Sequence, residues 1–266
     1  MSDAAAPRAG MNPAEFSNIA EAEDELWWYQ GQREILIQLI DRQLYGAGIR
    51  KVLEAGCGTG HTAKLLKERY GWDVTALDLS EVGLGHAASR GLSALVQGDI
   101  TRLPFRTGEF DLVISLDVIA HLERGSEDVA FREFARVLRP RGRLILRTAA
   151  FRSLRSRHSD FIVERQRFTR SEVVSGLRRA GFRINFATYV NAFLLPVAWF
   201  KFRIWEPLTS APPASGVGRV ANWLNSLLRF PLSMEARWIA AGGRFPLGQT
   251  ALVLGQLPAR SDVADL

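Results

Sequence analysis

Apolar and polar positions along the chain follow two periods, which alternate from segment to segment. Short apolar runs rich in branched residues are typical of buried strands, whereas apolar residues three and four positions apart are typical of amphipathic helices. The predicted strands cover residues 51–55, 72–77, 93–97, 110–116, 143–148, 182–190 and 249–257. The predicted helices between them cover residues 61–70, 81–90, 127–138 and 170–179. This order predicts an α/β protein with a mainly parallel sheet.

The first predicted strand runs directly into a glycine turn. Residues 54–60 read Glu-Ala-Gly-Cys-Gly-Thr-Gly, and a helix is predicted to begin at His61. Glycine lets the backbone come close to a ligand, and a helix start presents unpaired N–H groups. The dinucleotide fingerprint would need a glycine where His61 stands. The turn therefore indicates a nucleotide-like ligand and argues against a dinucleotide.

The pattern Glu-x-Gly-x-Gly-x-Gly resembles the first motif of class I S-adenosylmethionine-dependent methyltransferases of the bacterial small-molecule type. The resemblance covers about residues 20–190 and the final strand. It implies a Rossmann-like sheet of seven strands with an antiparallel last strand, a helical lid before it, and S-adenosylmethionine as the cofactor. In this family the last two strands usually form a near-direct hairpin, so residues 191–248 are predicted to be a helical insert.

Acidic residues stand where the second and third predicted strands end. Asp78 follows the glycines by about twenty residues, where a carboxylate can accept hydrogen bonds from two ribose hydroxyls. The resemblance assigns Asp99 to the adenine amino group and Ile100 to the ring face, and it places the methionine end near Leu116 and Asp117. The full predicted cofactor-binding set is Arg33, Glu54, Gly56, Cys57, Gly58, Gly60, Asp78, Leu79, Asp99, Ile100, Leu116 and Asp117.

His121 follows the fourth predicted strand, at the edge where open α/β sheets hold ligands. Its imidazole is the candidate catalytic base, able to take a proton from a hydroxyl or an amine. The alternative is that His121 packs at a helix start and bonds a backbone group. Some related O-methyltransferases carry two carboxylates before this histidine and bind a divalent metal. Ala120 replaces the second carboxylate here, so no metal is expected.

Residues 12–50 are predicted to form the lid, with a capped helix start at Asn12 and an amphipathic helix over 34–44. Three adjacent aromatics at 27–29 either pack the lid on the core or touch the cofactor or substrate, and Arg33 would meet the cofactor's carboxylate. The predicted substrate-contacting residues are Trp28, Tyr29, His121, Arg152, Phe193 and Trp199.

Charge and composition add two observations. The segment from Arg139 to Arg183 contains thirteen arginines and only three acidic residues. The whole chain of 266 residues has a net charge of +6. This segment is either a solvated face or a site for an anionic substrate, membrane or nucleic acid. The single cysteine, Cys57, allows no internal disulfide and indicates a reducing compartment. No leader or membrane-spanning run is recognisable, so a cytoplasmic protein is expected, with contact to a membrane surface left open.

The insert at 191–248 is apolar, aromatic and basic, with six basic and two acidic residues. Helices are expected over 219–230 and 233–241, and a loop over 207–218. The insert is interpreted in three ways, as a cap over a hydrophobic pocket, a membrane-surface segment or a dimer interface. The chain would accordingly be a monomer or a homodimer.

The predicted organisation is a disordered N-terminus (1–11), the lid (12–50), the cofactor-binding core (51–190), the insert (191–248), the final strand (249–257) and a tail (258–266). The expected activity is methyl transfer to a small-molecule acceptor with a hydrophobic part, which the arginines indicate could also carry an anion. Two alternatives are a nucleic-acid methyltransferase and a non-catalytic protein that binds the cofactor. The first is not favoured, because the Asn/Asp-Pro-Pro-aromatic tetrapeptide is absent after the fourth strand.

Overall fold

The computed structural model describes residues 10–209, 211–218 and 220–259. Its centre is a seven-stranded sheet in the order β3-β2-β1-β4-β5-β7-β6. The strands are β1 Lys51–Ala55, β2 Asp73–Asp78, β3 Leu95–Gln97, β4 Phe110–Leu116, β5 Leu138–Ala149, β6 Arg183–Val190 and β7 Thr250–Gln256. Residues 1–9 and 260–266 lie outside the described residues. They make up most of the predicted disordered N-terminus (1–11) and of the predicted tail (258–266).

Strand direction confirms the predicted fold class. The first five strands pair in parallel, with β1 between β2 and β4. The last strand, β7, runs antiparallel to both β5 and β6. The sheet is therefore the Rossmann-like arrangement with an antiparallel final strand, and the carboxyl ends of β1, β2 and β4 meet at one edge.

Helices cover both faces of the sheet. They are α1 Pro13–Ala22, α2 Trp27–Gln43, α3 His61–Tyr70, α4 Glu81–Ser89, α5 Ser126–Val137, α6 Arg157–Phe161, α7 Arg170–Arg179, α8 Leu195–Phe200, α9 Glu206–Leu208 and α10 Asn222–Ala240. A π-helical segment, Lys201–Trp205, joins α8 to α9, and short 3₁₀ turns lie at Ile119–His121 and Arg152–Leu154.

Two apolar clusters form the core, one on each side of the sheet. One contains Leu39 of α2 and Leu66 of α3 together with the sheet residue Ile145, all buried. The other contains Phe131 and Phe134 of α5, also buried. Phe131, Phe134 and Val137 recur at helical spacing, so one face of α5 packs into this second cluster.

The insert returns to the body of the protein through α10. Leu232, Ala236 and Ile239 of this helix are buried in the same cluster as Leu39 of α2. Gly31 of α2 permits the close approach, because a Cβ atom there would stand 2.7 Å from the Cβ of Leu232. The lid and the insert, far apart in sequence, thus form one helical pair.

Several predicted boundaries were wrong. One continuous helix, α10, replaces the two predicted over 219–230 and 233–241, although it contains Pro231. Leu232, Glu235, Ala236 and Ile239, all after the proline, are buried. This packing outweighs the hydrogen bond that proline cannot donate. The aromatics at 27–29 lie in the first turn of α2 and do not precede it. Helix α9 extends into the predicted 207–218 loop.

Strand boundaries differ at two places. Strand β5 begins at Leu138, five residues before the predicted start at 143, because the chain pairs with β4 through an irregular register as soon as α5 ends. Strand β3 covers only Leu95–Gln97 of the predicted 93–97. Within the described residues, the model contains no helix long and apolar enough to cross a membrane.

Candidate functional site

The glycine turn after β1 has a backbone that only glycine adopts easily. Gly56, Gly58 and Gly60 have φ angles of 92°, 53° and 76°. A Cβ atom on Gly56 would stand 2.1 Å from the side chain of Val118, and one on Gly60 would stand 2.6 Å from Ala87. The turn therefore needs glycine both for its dihedral angles and for close packing. It forms a cradle in front of the N-terminus of α3.

Asp78 lies directly beside this cradle. One of its carboxylate oxygens accepts a hydrogen bond from the Gly58 N–H at 2.7 Å, and the other accepts one from the Ser80 N–H at 2.8 Å. Burial raises the pKa of Asp78, while these backbone donors act in the opposite direction. Leu79, the next residue, is exposed at 37%. The structure thus joins the predicted ribose-binding carboxylate to the predicted glycine turn.

Glu54 is buried beneath the turn at the end of β1. Its Oε2 atom has no hydrogen-bond partner among the described residues. Burial, with smaller contributions from the nearby acids Asp78 and Glu23, raises the pKa of Glu54 to about 8. A buried carboxyl without a full set of partners is costly. A ligand with a cationic group would supply the missing partner, which fits the amino acid end of the predicted cofactor.

The remaining residues of the predicted adenosine set lie at the ends of β2 and β3. The Gly98 N–H donates to the Asp78 carbonyl oxygen at 2.9 Å, which holds the two strand ends together. The Asp99 carboxylate accepts from the backbone and hydroxyl of Thr101 at 2.8 and 2.7 Å. Ile100 is buried in the core. Cys57 is also buried, and burial raises the pKa of its thiol, which leaves it protonated.

A polar network lies at the end of β4. Asp117, with a left-handed φ of 62°, pairs with Arg147 of β5 at 2.6 Å. Arg147 also donates to Gln32 of α2 at 3.0 Å, and Gln32 donates to Asn191 at the start of the insert at 2.7 Å. Sequence reasoning placed Asp117 and Leu116 here but missed Arg147, Gln32 and Asn191. The position of Arg147 near the end of the neighbouring parallel strand was the available signal.

His121 lies in the turn that follows this network. Its Nδ1 is 3.4 Å from the Val163 carbonyl oxygen, and the N–H groups of Arg165 and Gln166 bond to the carbonyl of Ala120. Burial lowers the pKa of His121, although Glu164 and Asp117 oppose the shift. If Nδ1 carries the proton donated to Val163, Nε2 keeps a free lone pair. The described residues contain no group of three His, Cys, Asp or Glu side chains suited to a metal ion.

The first two helices close over the glycine turn. Phe16 of α1 is buried, and its ring lies 2.9 Å from the position of a Cβ atom on Gly83. Glu23 bonds to the Thr59 hydroxyl at 2.7 Å and pairs with Arg90 at 2.5 Å. These contacts tie the loop between α1 and α2 to the turn and to the end of α4.

Arg33 supports the same loop. Its guanidinium donates to the carbonyl oxygens of Glu23 and Asp24, at 2.5 and 3.4 Å. Asp24 in turn lies 2.8 Å from Nε2 of His61, at the start of α3. The predicted contact between Arg33 and the cofactor's carboxylate remains a prediction, and in the structure Arg33 holds the backbone of the lid loop.

Besides His121, three of the predicted substrate residues lie outside the insert. Tyr29 lies in the first turn of the lid helix α2, where burial, Glu15 and Asp117 raise the pKa of its phenol. Trp28 is half-buried with its ring edge-on to Trp27. Arg152 is exposed and lines a cavity of about 160 Å³ between α5 and α7.

The two insert aromatics predicted to contact substrate both face solvent in part. Phe193 packs edge-on to Phe245, with ring centroids 5.5 Å apart, and is 49% exposed. Trp199 of α8 is also 49% exposed. The structure therefore brings His121, Tyr29 and the cofactor set to one edge of the sheet, while Phe193 and Trp199 lie on the insert.

Many arginines of the basic segment are paired with acidic residues. Their partners include acids outside the segment, as in Arg165 with Glu123 at 3.2 Å and Arg179 with Asp128 at 2.8 Å. A cavity of about 490 Å³ lies next to this region, and Val163, whose carbonyl faces His121, lines it. The segment is thus an ion-paired surface beside the candidate base, which favours the solvated-face interpretation for the paired residues.

The sheet order, the glycine cradle and the carboxylates at the ends of β1 and β2 together define a class I nucleotide-binding methyltransferase fold. Residues 53–146 match the family described as "Methyltransferase domain". Over these residues the chain is therefore similar to methyltransferase domains, in agreement with the resemblance found in the sequence.

Named relatives resemble part of the chain. Ajmaline N-methyltransferase of Rauvolfia serpentina is 28% identical over 192 residues, which is 66% of this chain and 64% of that protein. Tocopherol O-methyltransferase of Arabidopsis thaliana is 32% identical over 140 residues, covering 47% of this chain and 40% of that protein. The chain thus matches less than two thirds of the length of either relative.

Solved structures share the fold. The crystal structure of the [4+2]-cyclase SpnF has a TM-score of 0.56 and 20% identity, covering 87% of this chain and 83% of that chain. At this identity the likeness concerns the fold alone. A cyclase with the same fold also means that the fold by itself does not specify methyl transfer.

Proposed function

We propose that this protein transfers a methyl group from S-adenosylmethionine to a small-molecule acceptor that has a hydrophobic part. The observation that carries the proposal is the hydrogen bond between Asp78 and the Gly58 N–H, together with the Oε2 atom of Glu54, which has no partner among the described residues and lies beneath the same turn. The methyltransferase domain match over the same residues supports it.

The chain's own residues would hold the cofactor along the carboxyl edge of β1 to β4. Asp78 would accept from the ribose hydroxyls, Asp99 would bond the adenine amino group, and Glu54 would face the cationic amino acid end. Glycines at 56, 58 and 60 keep the backbone open to close approach. When bound, S-adenosylmethionine supplies an activated methyl group on a sulfonium. The protein's main task is then positioning and exclusion of water.

The acceptor side is proposed to lie between Tyr29, Asp117 and His121. Tyr29 is largely buried, and the charges of Glu15 and Asp117 act on its phenol, which supports a position facing Asp117. His121, with its pKa lowered by burial, is neutral at pH 7 and can accept the proton that an attacking hydroxyl or amine loses. The neighbouring Asp117–Arg147 pair can orient a polar group of the acceptor.

The hydrophobic character of the acceptor is proposed from the aromatic surroundings of the edge. Trp27, Trp28 and Tyr29 occupy the first turn of α2, beside the Gln32–Asn191 contact that begins the insert. The two relatives named above act, by their names, on ajmaline and tocopherol, which are small molecules. A small apolar acceptor is therefore a better fit than a polymer.

The test is methyl transfer from labelled S-adenosylmethionine, with the purified full chain and a small-molecule extract as acceptor pool. We expect label in an extractable, apolar product, and less label with Asp78→Ala at a limiting cofactor concentration. Asp73→Ala, at the exposed start of the same strand, is the matched control. Tight cofactor binding without transfer to any acceptor would contradict the proposal and favour a non-methylating protein. Labelled oligonucleotides would instead indicate a nucleic-acid substrate.

A further inference from the structure

Helix α10 exposes a continuous apolar stripe. Trp223, Leu227, Phe230, Met234 and Trp238 recur every three or four residues, so they share one face of the helix. Their exposed fractions are 70%, 60%, 63%, 44% and 53%. Large apolar side chains in such a row are unusual on the surface of a soluble protein and mark an interaction site.

The opposite face of α10 is fixed to the body of the protein. Leu232, Ala236 and Ile239 are fully buried against the core that α2 covers. Glu235, also buried, accepts hydrogen bonds from the N–H groups of Asn191 and Phe193 at 2.6 and 2.9 Å. The helix therefore cannot rotate to bury the aromatic stripe without losing this packing. The stripe faces outward because the other face is already occupied.

The first helical part of the insert has a second stripe. Val197, Phe200, Ile204 and Leu208 are also spaced by three or four residues and are 62%, 53%, 38% and 77% exposed. We call this row and the row on α10 the insert stripes. Among the described residues, thirteen of the eighteen large hydrophobic side chains that are exposed lie between Phe193 and Leu247. Exposed apolar surface is thus concentrated in the insert.

The exposed charges of the insert have one sign. The acidic side chains of the insert are both engaged, since Glu235 is buried and the carboxylate of Glu206 accepts from the Arg157 N–H at 3.0 Å. The exposed charged side chains in its described part are all basic, namely Lys201, Arg203, Arg229, Arg237 and Arg244. The insert therefore presents apolar and aromatic rows flanked by positive charge.

We propose that the insert stripes dock this protein on the surface of an anionic membrane. Tryptophan and phenylalanine suit the boundary between headgroups and acyl chains, and lysine and arginine suit anionic headgroups. A second copy of the chain would bring like charges together, which opposes a dimer through this surface. The inference concerns location and does not depend on the proposed methyl transfer.

Vesicle flotation tests this docking with the full chain. The probes are phosphatidylcholine vesicles with and without phosphatidylglycerol, at low and high salt. We expect flotation with the anionic vesicles, weaker flotation at high salt, and a blue shift of tryptophan fluorescence on binding. An absence of flotation with anionic vesicles at low salt would overturn the proposal, whether or not the protein methylates a substrate.

Two sets of variants identify the surface. The first combines Trp223→Ser, Leu227→Ser and Phe230→Ser, and its control combines Tyr45→Ser, Val82→Ser and Val129→Ser, which are exposed outside the insert. We expect the first set to weaken vesicle binding by about tenfold or more, and the control to leave it unchanged. Equal effects of both sets would reject the insert stripes as the docking surface.

The charge variants do not depend on the apolar substitutions. The test variant combines Lys201→Glu, Arg203→Glu and Arg237→Glu. We expect it to reduce binding to the anionic vesicles by about tenfold or more. Lys67→Glu, Arg106→Glu and Arg132→Glu change the net charge equally at other exposed positions. Far-UV circular dichroism and S-adenosylmethionine binding check that each variant is folded. A concentration-dependent dimer that the first apolar set abolishes, with no vesicle binding, would instead assign the stripes to self-association.

Discussion

The hydroxyl of Thr59 lies 2.7 and 2.9 Å from the two carboxylate oxygens of Glu23, although the two residues are 36 positions apart. Thr59 stands inside the glycine turn, and Glu23 ends the first lid helix. The carboxylate also pairs with Arg90 at 2.5 Å, at the end of α4. One buried carboxylate therefore fastens the lid to the glycine turn.

Replacing Glu23 should loosen this closure. We expect Glu23→Ala to lower the free energy of unfolding by about 3 kcal/mol, because the substitution leaves the mostly buried Arg90 with only its longer contact, 3.9 Å, to the exposed Asp24. Asp24→Ala is the control, since the side chain of Asp24 is 63% exposed and should contribute less than about 1 kcal/mol. Urea titrations of both variants provide the measurement. Equal destabilisation by the two substitutions would contradict a specific role for Glu23.

Asp78 should contribute directly to cofactor affinity. Asp78→Ala removes an acceptor for the ribose hydroxyls and is expected to weaken S-adenosylmethionine binding by about 1–3 kcal/mol. Isothermal titration calorimetry measures the change, with Asp73→Ala as the control from the exposed start of the same strand. Unchanged affinity in Asp78→Ala would refute the ribose assignment.

His121 should affect the rate and leave cofactor affinity unchanged. If its imidazole is the base, His121→Gln lowers kcat by about 10²–10⁴-fold. Because burial lowers the pKa of His121, the acid limb of the kcat profile of the unmodified protein should lie below the ordinary histidine value of 6.5. His86→Gln, on α4, is the control. A variant with full kcat would show that His121 serves only the contact with Val163.

Glu54 should make stability depend on pH. Its folded pKa of about 8 exceeds the ordinary 4.5, so between these values the folded protein binds more protons than the unfolded chain. The contribution of Glu54 is therefore full below about pH 4.5 and is lost as the pH rises towards 8. The glutamine side chain of Glu54→Gln cannot ionise. The free energy of unfolding of this variant should therefore fall less between pH 4.5 and 8 than that of the unmodified protein, by a difference of a few kcal/mol at most.

Cofactor binding gives a second measurement at Glu54. A cationic ligand group favours the ionised carboxyl, so S-adenosylmethionine binding at pH 7 should release a proton from the unmodified protein. Calorimetry in two buffers with different ionisation enthalpies measures this release, which Glu54→Gln should abolish. An unchanged proton release in the variant would place the titrating group elsewhere.

Two helical glycines form a matched pair for the contact between α2 and α10. Gly31→Ala puts a methyl group 2.7 Å from Leu232 and is expected to cost about 1–3 kcal/mol by overpacking. Gly85→Ala on α4 meets nothing within 4 Å and should stabilise the protein by about 0.5–1 kcal/mol through helix propensity. Thermal unfolding of both variants tests the pair. A stabilising Gly31→Ala would mean that the helices separate easily.

The site was predictable where it depends on neighbours in sequence. Each predicted feature stands at or just after the end of a strand that is recognisable from its own residues. The glycine turn follows β1, Asp78 ends β2, and His121 follows β4. Their convergence follows from parallel pairing, because the carboxyl ends of parallel strands share one edge. The network of Asp117, Arg147 and Gln32 was not predicted beyond its first member, since it joins three elements through side chains.

The sequence by itself determined the α/β order and the glycine turn, because these follow from local periodicity and from residues a few positions apart. The antiparallel direction of the final strand was implied by the resemblance to class I methyltransferases. Only the tertiary structure decided that Glu23 closes on Thr59, that Arg33 supports the lid loop, and that α10 continues through Pro231. It also decided which face of α10 is buried. The physical reason is the same in each case: packing between segments far apart in sequence outweighs local preference, and a single sequence does not show which segments will meet.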